Sequence, residues 1–459
     1  MATFSVFWGL PKANTCVSLS KILTMKNRLL LLLALFVFTS PFAFAQLDRT
    51  EKKLAEWVDA NNNDALALLK QIVNINSGTM NFEGVKAVAD VLAPKFEALG
   101  MDVIWEDGSE FNRAGHLMAK IEGGKGPKIL MIGHLDTVFE PDSPNQEWRQ
   151  LDEYTVAGPG IADMKGGDVI ILQALSALHA QGLLKDMNIG VIMTGDEELS
   201  GSPLSASKAE LVEAAKWADI ALGFENGDGN PATVNVARRS SSGWKLTVTG
   251  NAAHSSQVFK PEVGAGAIYE ASRILYQFYE ELSKEEFLTF NPGMILGGTT
   301  VTYNENENGG SAYGKDNVVS KDVTVTGDIR CISPEQLTNA QKVMKAIVAR
   351  NLPKTSATIE FSEGYPPFAP KDANYDLMRQ FSKVSQDLGY GEVGPVNPAD
   401  AGAADISFTS EYIKMGIDGM GMSGKDDHTI NETGDLRALP KQSKRAAVLI
   451  YRLFKEGIE

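Results

Sequence analysis

Three polar, glycine-rich clusters occur in the first half of this chain, and each follows an apolar run. They read GHLDTV from Gly133, GPGIADMKGG from Gly158 and GDEELSG from Gly195. The first and third follow residues 128–132 and 189–193, whose short, mostly apolar composition predicts buried parallel strands. In an open α/β sheet, ligands bind at the carboxyl ends of the strands. The sequence therefore predicts a ligand site at that edge of the sheet.

The polar residues near these ends are of types that bind metals. His134 and His428 supply neutral imidazoles, and Asp163, Glu198 and Glu225 supply carboxylate oxygens. Two zinc ions, each keeping an open coordination position, need about this set of ligands if one carboxylate bridges them. The five residues are therefore candidate metal ligands.

Two further acidic residues are candidates for supporting chemistry. Asp136 lies two residues after His134, so in an extended chain the two side chains point the same way. The carboxylate can then accept the imidazole N–H and fix its tautomer. Glu197 and Glu198 are adjacent and point in different directions, so that one can bind a metal while the other acts as a general base.

Each motif also has an interpretation without catalysis. A single His-x-Asp pair is more often a surface or hydrogen-bonding pair than a ligand, and a pair of glutamates is often only solvated charge. Here the candidates occur together after predicted strands or turns, several beside glycines that allow a ligand to approach the backbone. This joint pattern favours a metal site. His116, in an alternating strand, and His179, at a helix end, are interpreted as structural.

The N-terminal segment has the features of a secretory signal. A basic start at Met25, an apolar run over 29–39 and an Ala-Phe-Ala site before Gln46 predict that residues 1–45 are removed. The apolar run is too short to remain as a membrane-spanning helix. The sequence thus predicts an exported protein, periplasmic or secreted, with no membrane association after the signal is removed.

Charge and cysteine content limit the kinds of partner and site. The full chain has a net charge of −15, and residues 1–45 contain four basic residues and no acidic one, which leaves about −19 on residues 46–459. Such acidity argues against nucleic-acid or anionic-membrane partners. Cys331 is the only cysteine after residue 45, so the mature protein cannot form an internal disulfide, and histidines and carboxylates must hold any metal.

The length of 459 residues predicts more than one domain. Residues 46–239 alternate amphipathic helices with short apolar strands, starting with a helical pattern over 47–74, and the same character returns in 364–459. Between them, residues 240–363 predict a ferredoxin-like β-α-β-β-α-β order. Its predicted strands are 244–249, 299–303, 323–329 and 357–361, and its predicted helices are 264–278 and 334–350. The expected fold is an α/β domain interrupted by a smaller α+β domain.

Taken together, the motifs resemble those of a family of di-zinc metallopeptidases. The matching segments are GHLDTV, GPGIADMKGG, TGDEELSGS, the glutamate of GFEN, AAHSS and GKDDHT, in the same order and at similar spacing. Members of this family include bacterial glutamate carboxypeptidase, aminoacylase, acetylornithine deacetylase, succinyl-diaminopimelate desuccinylase and carnosinase. The resemblance covers essentially the whole mature chain. It implies a zinc-dependent exopeptidase-type α/β catalytic domain with an inserted lid and dimerisation domain.

The resemblance also implies a role for each candidate in the catalytic domain. His134 and His428 would each bind one of two zinc ions, Asp163 would bridge them, and Glu198 and Glu225 would complete the two sites. The bond between Asp163 and Met164 matches one that is cis in the family. Glu197 would take the proton of the attacking water and pass it to the leaving nitrogen, and Asp136 would support a zinc ligand.

Residues of the inserted domain are implied to contact the substrate. His254 resembles a histidine that reaches the partner subunit's site and steadies the oxyanion. Asn317 and Arg330 resemble residues that hold the substrate carboxylate, and Gly424 would add a backbone N–H. The alternatives are that Arg330 pairs with a surface acid and that His254 is only a turn residue. The role of Asp405, in the DAGAADIS loop, is left open.

These implications define an expected function with several alternatives. Glu225 is a glutamate, as in the carboxypeptidase and deacylase branches, whereas the aminopeptidase and dipeptidase branches tend to have aspartate there. The expected function is a carboxypeptidase of glutamate carboxypeptidase type. Alternatives in the same family are an N-acyl-amino-acid deacylase and an aminopeptidase or dipeptidase. A non-catalytic peptide-binding protein is a more remote alternative, because none of the ligands or Glu197 has been lost. The expected enzyme is a homodimer with two zinc ions per subunit that acts on small peptides or N-acyl amino acids.

Overall fold

The computed structural model describes residues 47–144, 146–305 and 307–457. The predicted signal segment, residues 1–45, lies outside the described residues. No described helix combines the length and the apolar character that crossing a bilayer requires.

Up to residue 239, helices and short strands alternate. In chain order they are α1 (Arg49–Ala60), α2 (Asn62–Val73), α3 (Phe82–Ala98), β1 (Asp102–Asp107), β2 (Gly115–Glu122), β3 (Lys128–His134), β4 (Arg149–Gln150), β5 (Thr155–Ala157), α4 (Gly166–Ala180), β6 (Asn188–Thr194), α5 (Leu204–Ser207), α6 (Ala209–Trp217), β7 (Ile220–Gly223) and β8 (Thr233–Val234). The helical pattern predicted over 47–74 corresponds to two helices, α1 and α2, divided at Asn61. Asparagine side chains compete for backbone hydrogen bonds, and the Asn61 amide donates to the Trp57 carbonyl at 2.8 Å.

The remaining elements follow the change of character at residue 240. They are β9 (Ser242–Thr249), α7 (Ala267–Leu282), β10 (Thr289–Gly298), β11 (Thr300–Asn304), β12 (Gly309–Tyr313), β13 (Asp322–Arg330), α8 (Pro334–Val348), β14 (Ser356–Phe361), α9 (Asp372–Asp387), β15 (Gly394–Pro395), β16 (Met415–Ile417), β17 (Gly424–Lys425), β18 (Thr433–Asp435) and α10 (Ala438–Glu456). The fold class is mixed α/β, as the sequence predicts.

A six-stranded sheet in the order β1-β2-β6-β3-β7-β16 forms the centre of the larger part of the fold. Strands β3, β6, β7 and β16 run parallel, so the carboxyl ends of β3, β6 and β7 meet at one edge. Alternate residues of β3 pack into different cores, with Ile129 and Met131 on one face and Leu130 and Ile132 on the other. Burial on both faces explains why this strand is continuously apolar.

A second sheet, in the order β10-β13-β9-β14, is antiparallel throughout. Trp244, Leu246 and Val248 of β9 pack in one core with apolar residues of α7 and α8. The order β-α-β-β-α-β is as predicted, but the position of its second strand is wrong. That strand is β10, and the predicted strand at 299–303 instead corresponds to β11, which pairs with β12 in a separate hairpin. Strand β10 lies at the sheet edge and has a bulge at Pro292–Met294, so its sequence lacks a regular apolar alternation.

Two linker segments join the two sheets and pair with each other. Arg238 and Phe368 exchange backbone hydrogen bonds at 2.9 and 3.0 Å, and the Ser241 N–H donates to the Tyr365 carbonyl at 3.0 Å. The segments that enter and leave residues 240–363 therefore form one short paired connection. The division into a catalytic and a lid domain stays a prediction.

Candidate metal centre

The carboxyl edge of the six-stranded sheet brings the five candidate ligands together. His134 ends β3, Glu198 follows β6, and Glu225 follows β7. Asp163 lies in the turn before α4, and His428 lies between β17 and β18 with a left-handed φ of 58°. We call these five residues the ligand cluster. Pairing of β3 with both β6 and β7 sets the loops that follow these strands side by side.

The cluster consists of two groups that share Asp163. One group is His134, Asp163 and Glu225, the other is Asp163, Glu198 and His428, and the ligand atoms within each lie within 4.8 Å of one another. The two oxygens of Asp163 point to different groups. Its Oδ1 lies 3.1 Å from Nε2 of His134, and its Oδ2 lies 3.1 Å from Nε2 of His428. This arrangement suits a carboxylate that bridges two cations.

The outer ligands complete each group at similar distances. Oε1 of Glu225 lies 3.4 Å from Nε2 of His134, and Oε2 of Glu198 lies 3.2 Å from Nε2 of His428. Oε1 of Glu198 is buried and has no hydrogen-bond partner among the described residues. A buried carboxylate oxygen without a partner is costly unless a cation compensates it. The donor set of imidazoles and carboxylates therefore fits a metal centre.

The electrostatics of the cluster also favour a cation. Burial, with Asp163 next, raises the pKa of Glu225 to about 8. Hydrogen bonds to Asp163 and Glu198 raise the pKa of His428 to about 11. Burial alone would lower the pKa of His134, but nearby carboxylates, with Glu225 the strongest, raise it well above its usual value. The carboxylates thus favour positive charge at both histidines, which a bound metal ion would supply.

Asp136 contacts both His134 and the Glu197–Glu198 turn. The Nδ1 atom of His134 lies 3.0 Å from the backbone carbonyl of Asp136 and 3.5 Å from its Oδ1. The carboxylate also accepts the backbone N–H groups of Glu197 and Glu198, at 3.1 and 3.2 Å, and the Thr79 hydroxyl at 2.6 Å. Asp136 therefore lies against the His134 ring with its main chain and its carboxylate, and it holds the Glu197–Glu198 turn through its side chain.

Comparison with known proteins assigns the chain to a family. The profile of "Peptidase family M20/M25/M40" matches residues 130–452. The chain belongs to this family. We call it the M20 chain below, and as a family member it is a hydrolase of the metallopeptidase type.

Individual relatives are distant but align over most of the chain. Carboxypeptidase G2 of Pseudomonas sp. (strain RS-16) is 26% identical over 387 residues, which cover 84% of this chain and 88% of that protein. A succinyl-diaminopimelate desuccinylase of Dechloromonas aromatica (strain RCB) is 26% identical over 418 residues, 86% of this chain and 99% of the relative. The crystal structure of aminopeptidase PepT from Bacillus cereus has a TM-score of 0.66 at 18% identity and covers 86% of this chain and 99% of its own. It shows the same fold.

The bond between Asp163 and Met164 in the M20 chain is cis, as the resemblance implied. Glu432, which the sequence analysis did not select, holds this turn. It accepts the backbone N–H groups of Gly160, Ala162 and Asp163 at 2.9, 2.9 and 3.2 Å. Burial raises the pKa of Glu432 to about 8 although these hydrogen bonds lower it. The only signal in the sequence was its position four residues after His428.

We expect Glu432→Gln to weaken metal binding. The amide NH₂ group cannot accept the backbone N–H groups, so the turn that presents Asp163 loses part of its support. Metal affinity should fall by about 10- to 100-fold, as for other residues that support a ligand. The free energy of unfolding should fall by about 1–3 kcal/mol. Competition with a chelator measures the first quantity and denaturant titration the second. The matched control is Glu392→Gln at an exposed position, and equal metal affinity in the two variants would contradict the role.

The residues predicted to contact substrate lie in different surroundings. His254 is exposed, and its Nδ1 atom lies 2.8 Å from the Ser256 hydroxyl, while the Asn317 carbonyl accepts the Ser255 N–H at 2.9 Å. Arg330 ends β13 and donates from Nε to Asp328 at 3.0 Å. Within the described ranges, none of His254, Asn317 and Arg330 forms a hydrogen bond or ion pair with the ligand cluster. Their substrate-binding roles stay predictions.

Gly424 is beside the centre. A Cβ atom at this position would lie 2.4 Å from the Cβ of Ala162, the neighbour of Asp163, and 2.3 Å from the Thr433 carbonyl. The close approach of β17 to the Asp163 turn therefore requires glycine here.

His116 and Cys331 are both buried, and the His116 Nε2 atom lies 2.8 Å from the Ser207 carbonyl, consistent with a structural histidine.

Asp405, whose role the sequence left open, is buried next to the turn that carries Glu197. Its carboxylate accepts the Thr194 hydroxyl at 2.5 Å and the Tyr365 hydroxyl at 3.0 Å, and lies 3.0 Å from the Lys208 ammonium. Sequence reasoning missed Lys208 and Tyr365, because a buried lysine or tyrosine has no local pattern that distinguishes it from an exposed one.

Proposed function

We propose that this M20 chain is a di-zinc exopeptidase that hydrolyses an amide bond next to a free C-terminal carboxylate, as a carboxypeptidase of glutamate carboxypeptidase type. The observation that carries the proposal is the sharing of Asp163 between two ligand groups, beside the Glu197 carboxyl. Two adjoining cation sites with a shared carboxylate suit the hydrolysis of an amide. The similarity to carboxypeptidase G2 supports the proposal that the activity is that of a carboxypeptidase.

In this proposal His134, Glu225 and Asp163 hold one zinc ion, and Asp163, Glu198 and His428 hold the other. Zinc ions in such a centre supply Lewis-acid chemistry, polarising a carbonyl group and lowering the pKa of water. Both ligand groups contain an imidazole and two carboxylates, a set that zinc accepts readily.

Glu197 is the proposed general base and acid. Burial, and after it the charge of Glu225, raises the pKa of its carboxyl group well above the usual value. A carboxyl group with a raised pKa takes up a proton readily near neutral pH and can give it to a leaving amine nitrogen. The backbone N–H groups of Glu197 and of its neighbour Glu198, a member of the ligand cluster, both donate to Asp136, which fixes this turn.

Arg330, Asn317 and Gly424 are the proposed contacts for the substrate carboxylate, and His254 the proposed oxyanion donor in a partner subunit. The Arg330 side chain is one-third exposed, and among the described residues only its Nε is paired, with Asp328, which leaves its terminal nitrogens for a bidentate contact. The domain boundaries of the proposal are 46–239 and 364–459 for the catalytic domain and 240–363 for the lid.

The experiment that tests the function is a hydrolysis panel with residues 46–459 and added zinc. N-acyl amino acids and dipeptides that differ in the C-terminal residue are compared with amino-blocked and carboxyl-blocked controls. We expect cleavage that requires the free carboxylate, tolerates a blocked amine and disappears with a chelator. Cleavage that requires a free amine would place the protein among aminopeptidases. Bound zinc without any cleavage would favour the peptide-binding alternative.

The same panel separates the second candidate, an N-acyl-amino-acid deacylase. The similarity to succinyl-diaminopimelate desuccinylase, which aligns over 99% of that enzyme, supports this alternative. A deacylase cleaves simple acyl groups faster than peptidyl groups on the same leaving amino acid. The ratio of the two kcat/KM values therefore decides between them.

Zinc binding to the chelator-treated protein should release more than one proton per subunit at neutral pH. The pKa of His428 is raised to about 11, that of Glu225 to about 8, and that of His134 is also raised, and each of these ligands must be deprotonated to bind zinc. The apparent zinc affinity should therefore rise with pH between about pH 6 and pH 9. Calorimetry in buffers with different ionisation enthalpies measures the released protons. The variant His428→Ala should release fewer, and a binding heat independent of the buffer would contradict the prediction.

We also propose that the mature protein is exported and forms a homodimer through residues 240–363. Strand β10 is a sheet edge with Ile295 exposed, and Tyr276 and Tyr279 of α7 are more than half exposed. An exposed edge and apolar side chains favour pairing with a second copy. N-terminal sequencing of protein from the periplasmic fraction tests the cleavage before Gln46. Light scattering of residues 46–459 tests the dimer.

A further inference from the structure

We propose that Tyr365 is a positioning residue for Glu197, and that it ties the orientation of the general base to the paired linkers that join the two sheets. The inference rests on the proposed role of Glu197. It concerns a tyrosine that lies outside the ligand cluster and is absent from all the matched motifs. Three sets of contacts support it.

The first set connects the Tyr365 hydroxyl to the turn that carries the base. The hydroxyl oxygen lies 3.1 Å from the Glu197 carbonyl oxygen and 3.0 Å from Oδ1 of Asp405, and it accepts from the Ser200 hydroxyl at 3.2 Å. A phenol has one proton, so it is shared between a backbone carbonyl and a carboxylate. The backbone of Glu197 thus donates its N–H to Asp136 and accepts the Tyr365 hydroxyl at its carbonyl.

The second set fixes the position of Asp405 itself. Its carboxylate pairs with the buried Lys208 at 3.0 Å, and the same ammonium group pairs with Asp196 at 2.8 Å. Asp196 in turn accepts the Gly201 N–H at 2.7 Å. The 196–201 turn is therefore held at its beginning and end by one buried ion-pair network, and Tyr365 donates into this network beside Glu197.

The third set connects Tyr365 to the linkers. Its carbonyl accepts the Ser241 N–H at 3.0 Å, so its backbone belongs to the paired connection between residues 238–241 and 365–368. Its ring packs against Phe408 with centroids 4.9 Å apart, and the Lys208 ammonium lies 5.4 Å from the ring centroid. The side chain is thus a short, rigid link between the linkers and the Glu197 turn.

A rotation of residues 240–363 about their linkers would move the backbone of Tyr365 and, through the hydroxyl, the carbonyl of Glu197. The arrangement makes the placement of the base depend on the orientation of the inserted segment. The contacts of the ring do not require the hydroxyl, so its removal separates this coupling from packing.

The test compares Tyr365→Phe with wild type in single-turnover and steady-state hydrolysis of the best substrate from the panel. Phenylalanine keeps the ring contacts with Phe408 and Lys208 and removes only the hydrogen bonds. We expect kcat and the single-turnover rate to fall by about 10- to 100-fold, the scale of a misplaced catalytic group. KM should change by less than about twofold, and two zinc ions should remain bound, because neither the substrate contacts nor the ligands change.

Tyr451→Phe is the matched control. The Tyr451 hydroxyl also donates to a carboxylate, Oδ2 of Asp48, at 3.3 Å, but it belongs to α10 and makes no contact with the Glu197 turn among the described residues. This variant should keep the wild-type kcat. A second variant, Asp405→Asn, removes the charge that receives the Tyr365 proton and should lower kcat with KM unchanged, as Tyr365→Phe does.

Two results would overturn the proposal. The first is a wild-type kcat in Tyr365→Phe. The second is a loss of zinc or of cooperative unfolding that accompanies the loss of activity in both Tyr365→Phe and Asp405→Asn, which would assign the network to folding alone. Failure of the proposed function is a different outcome, since the wild-type protein would then hydrolyse no member of the panel.

Discussion

Replacing Glu197 with glutamine should lower kcat by about 10²- to 10⁴-fold while two zinc ions remain bound, the scale of general acid–base catalysis. Glutamine has nearly the same shape and keeps the backbone hydrogen bond to Asp136, so the turn and the neighbouring ligand Glu198 stay in place. It cannot take a proton from water or return one to the leaving nitrogen. Steady-state kinetics and metal analysis of the same preparation measure both quantities. Glu197→Ala should show the same pattern.

Glu213→Gln is the control for this substitution, because Glu213 is exposed and pairs only with Lys216 in the described structure. It should leave kcat and zinc content unchanged. Turnover at the wild-type rate in Glu197→Gln would remove the assignment of the base. Loss of zinc in that variant would instead make Glu197 a ligand.

Asp163→Asn should have the largest effect of any single change. This carboxylate faces both histidines of the ligand cluster, at 3.1 Å in each case, and is the only residue that the two groups share. An amide supplies one oxygen and no charge, so one group loses a ligand and the other loses the negative charge that balances its cation. We expect zinc content to fall below two per subunit and kcat/KM to fall by at least about 10³-fold, which corresponds to several kcal/mol of transition-state stabilisation.

The comparison for Asp163→Asn is Asp102→Asn, which removes an exposed carboxylate at the start of β1. Both the zinc content and the kinetics of this control should match wild type. Circular dichroism of Asp163→Asn checks that the fold persists. Retention of two zinc ions at wild-type affinity in Asp163→Asn would show that Asp163 is not a bridging ligand.

The ligand cluster could be predicted from sequence because each member is next to a strand end or a recurring motif. His134 and Glu198 follow apolar runs whose composition predicts parallel strands, and parallel pairing brings the carboxyl ends of the two strands together. Such reasoning needs only the period of the apolar residues. The period of the apolar residues also predicted strand β9 and the amphipathic helices α7 and α8.

Other features depend on contacts across the fold and could not be read in this way. Glu432 binds the Asp163 turn from the far end of the chain, and Lys208 pairs with Asp405 from the turn between α5 and α6. Strand β10 was not predicted, because Pro292 and a bulge interrupt the alternation of its apolar residues at a sheet edge. The Asp136 carboxylate lies 3.5 Å from Nδ1 of His134, but its hydrogen bonds to the Glu197–Glu198 turn were not predicted, because backbone N–H groups were not part of the sequence argument.

The long separation of the residues that build the centre has a consequence for how the protein acquires its metal. Gly160 and Glu432, which meet at the Asp163 turn, are 272 residues apart in sequence. A nascent or truncated chain that ends before His428 has His134 and all the carboxylate ligands but lacks Glu432, which holds the Asp163 turn. We therefore expect metal capture to follow the closing of very distant contacts. Metal content should consequently report whether a molecule has been made and folded at least as far as Glu432.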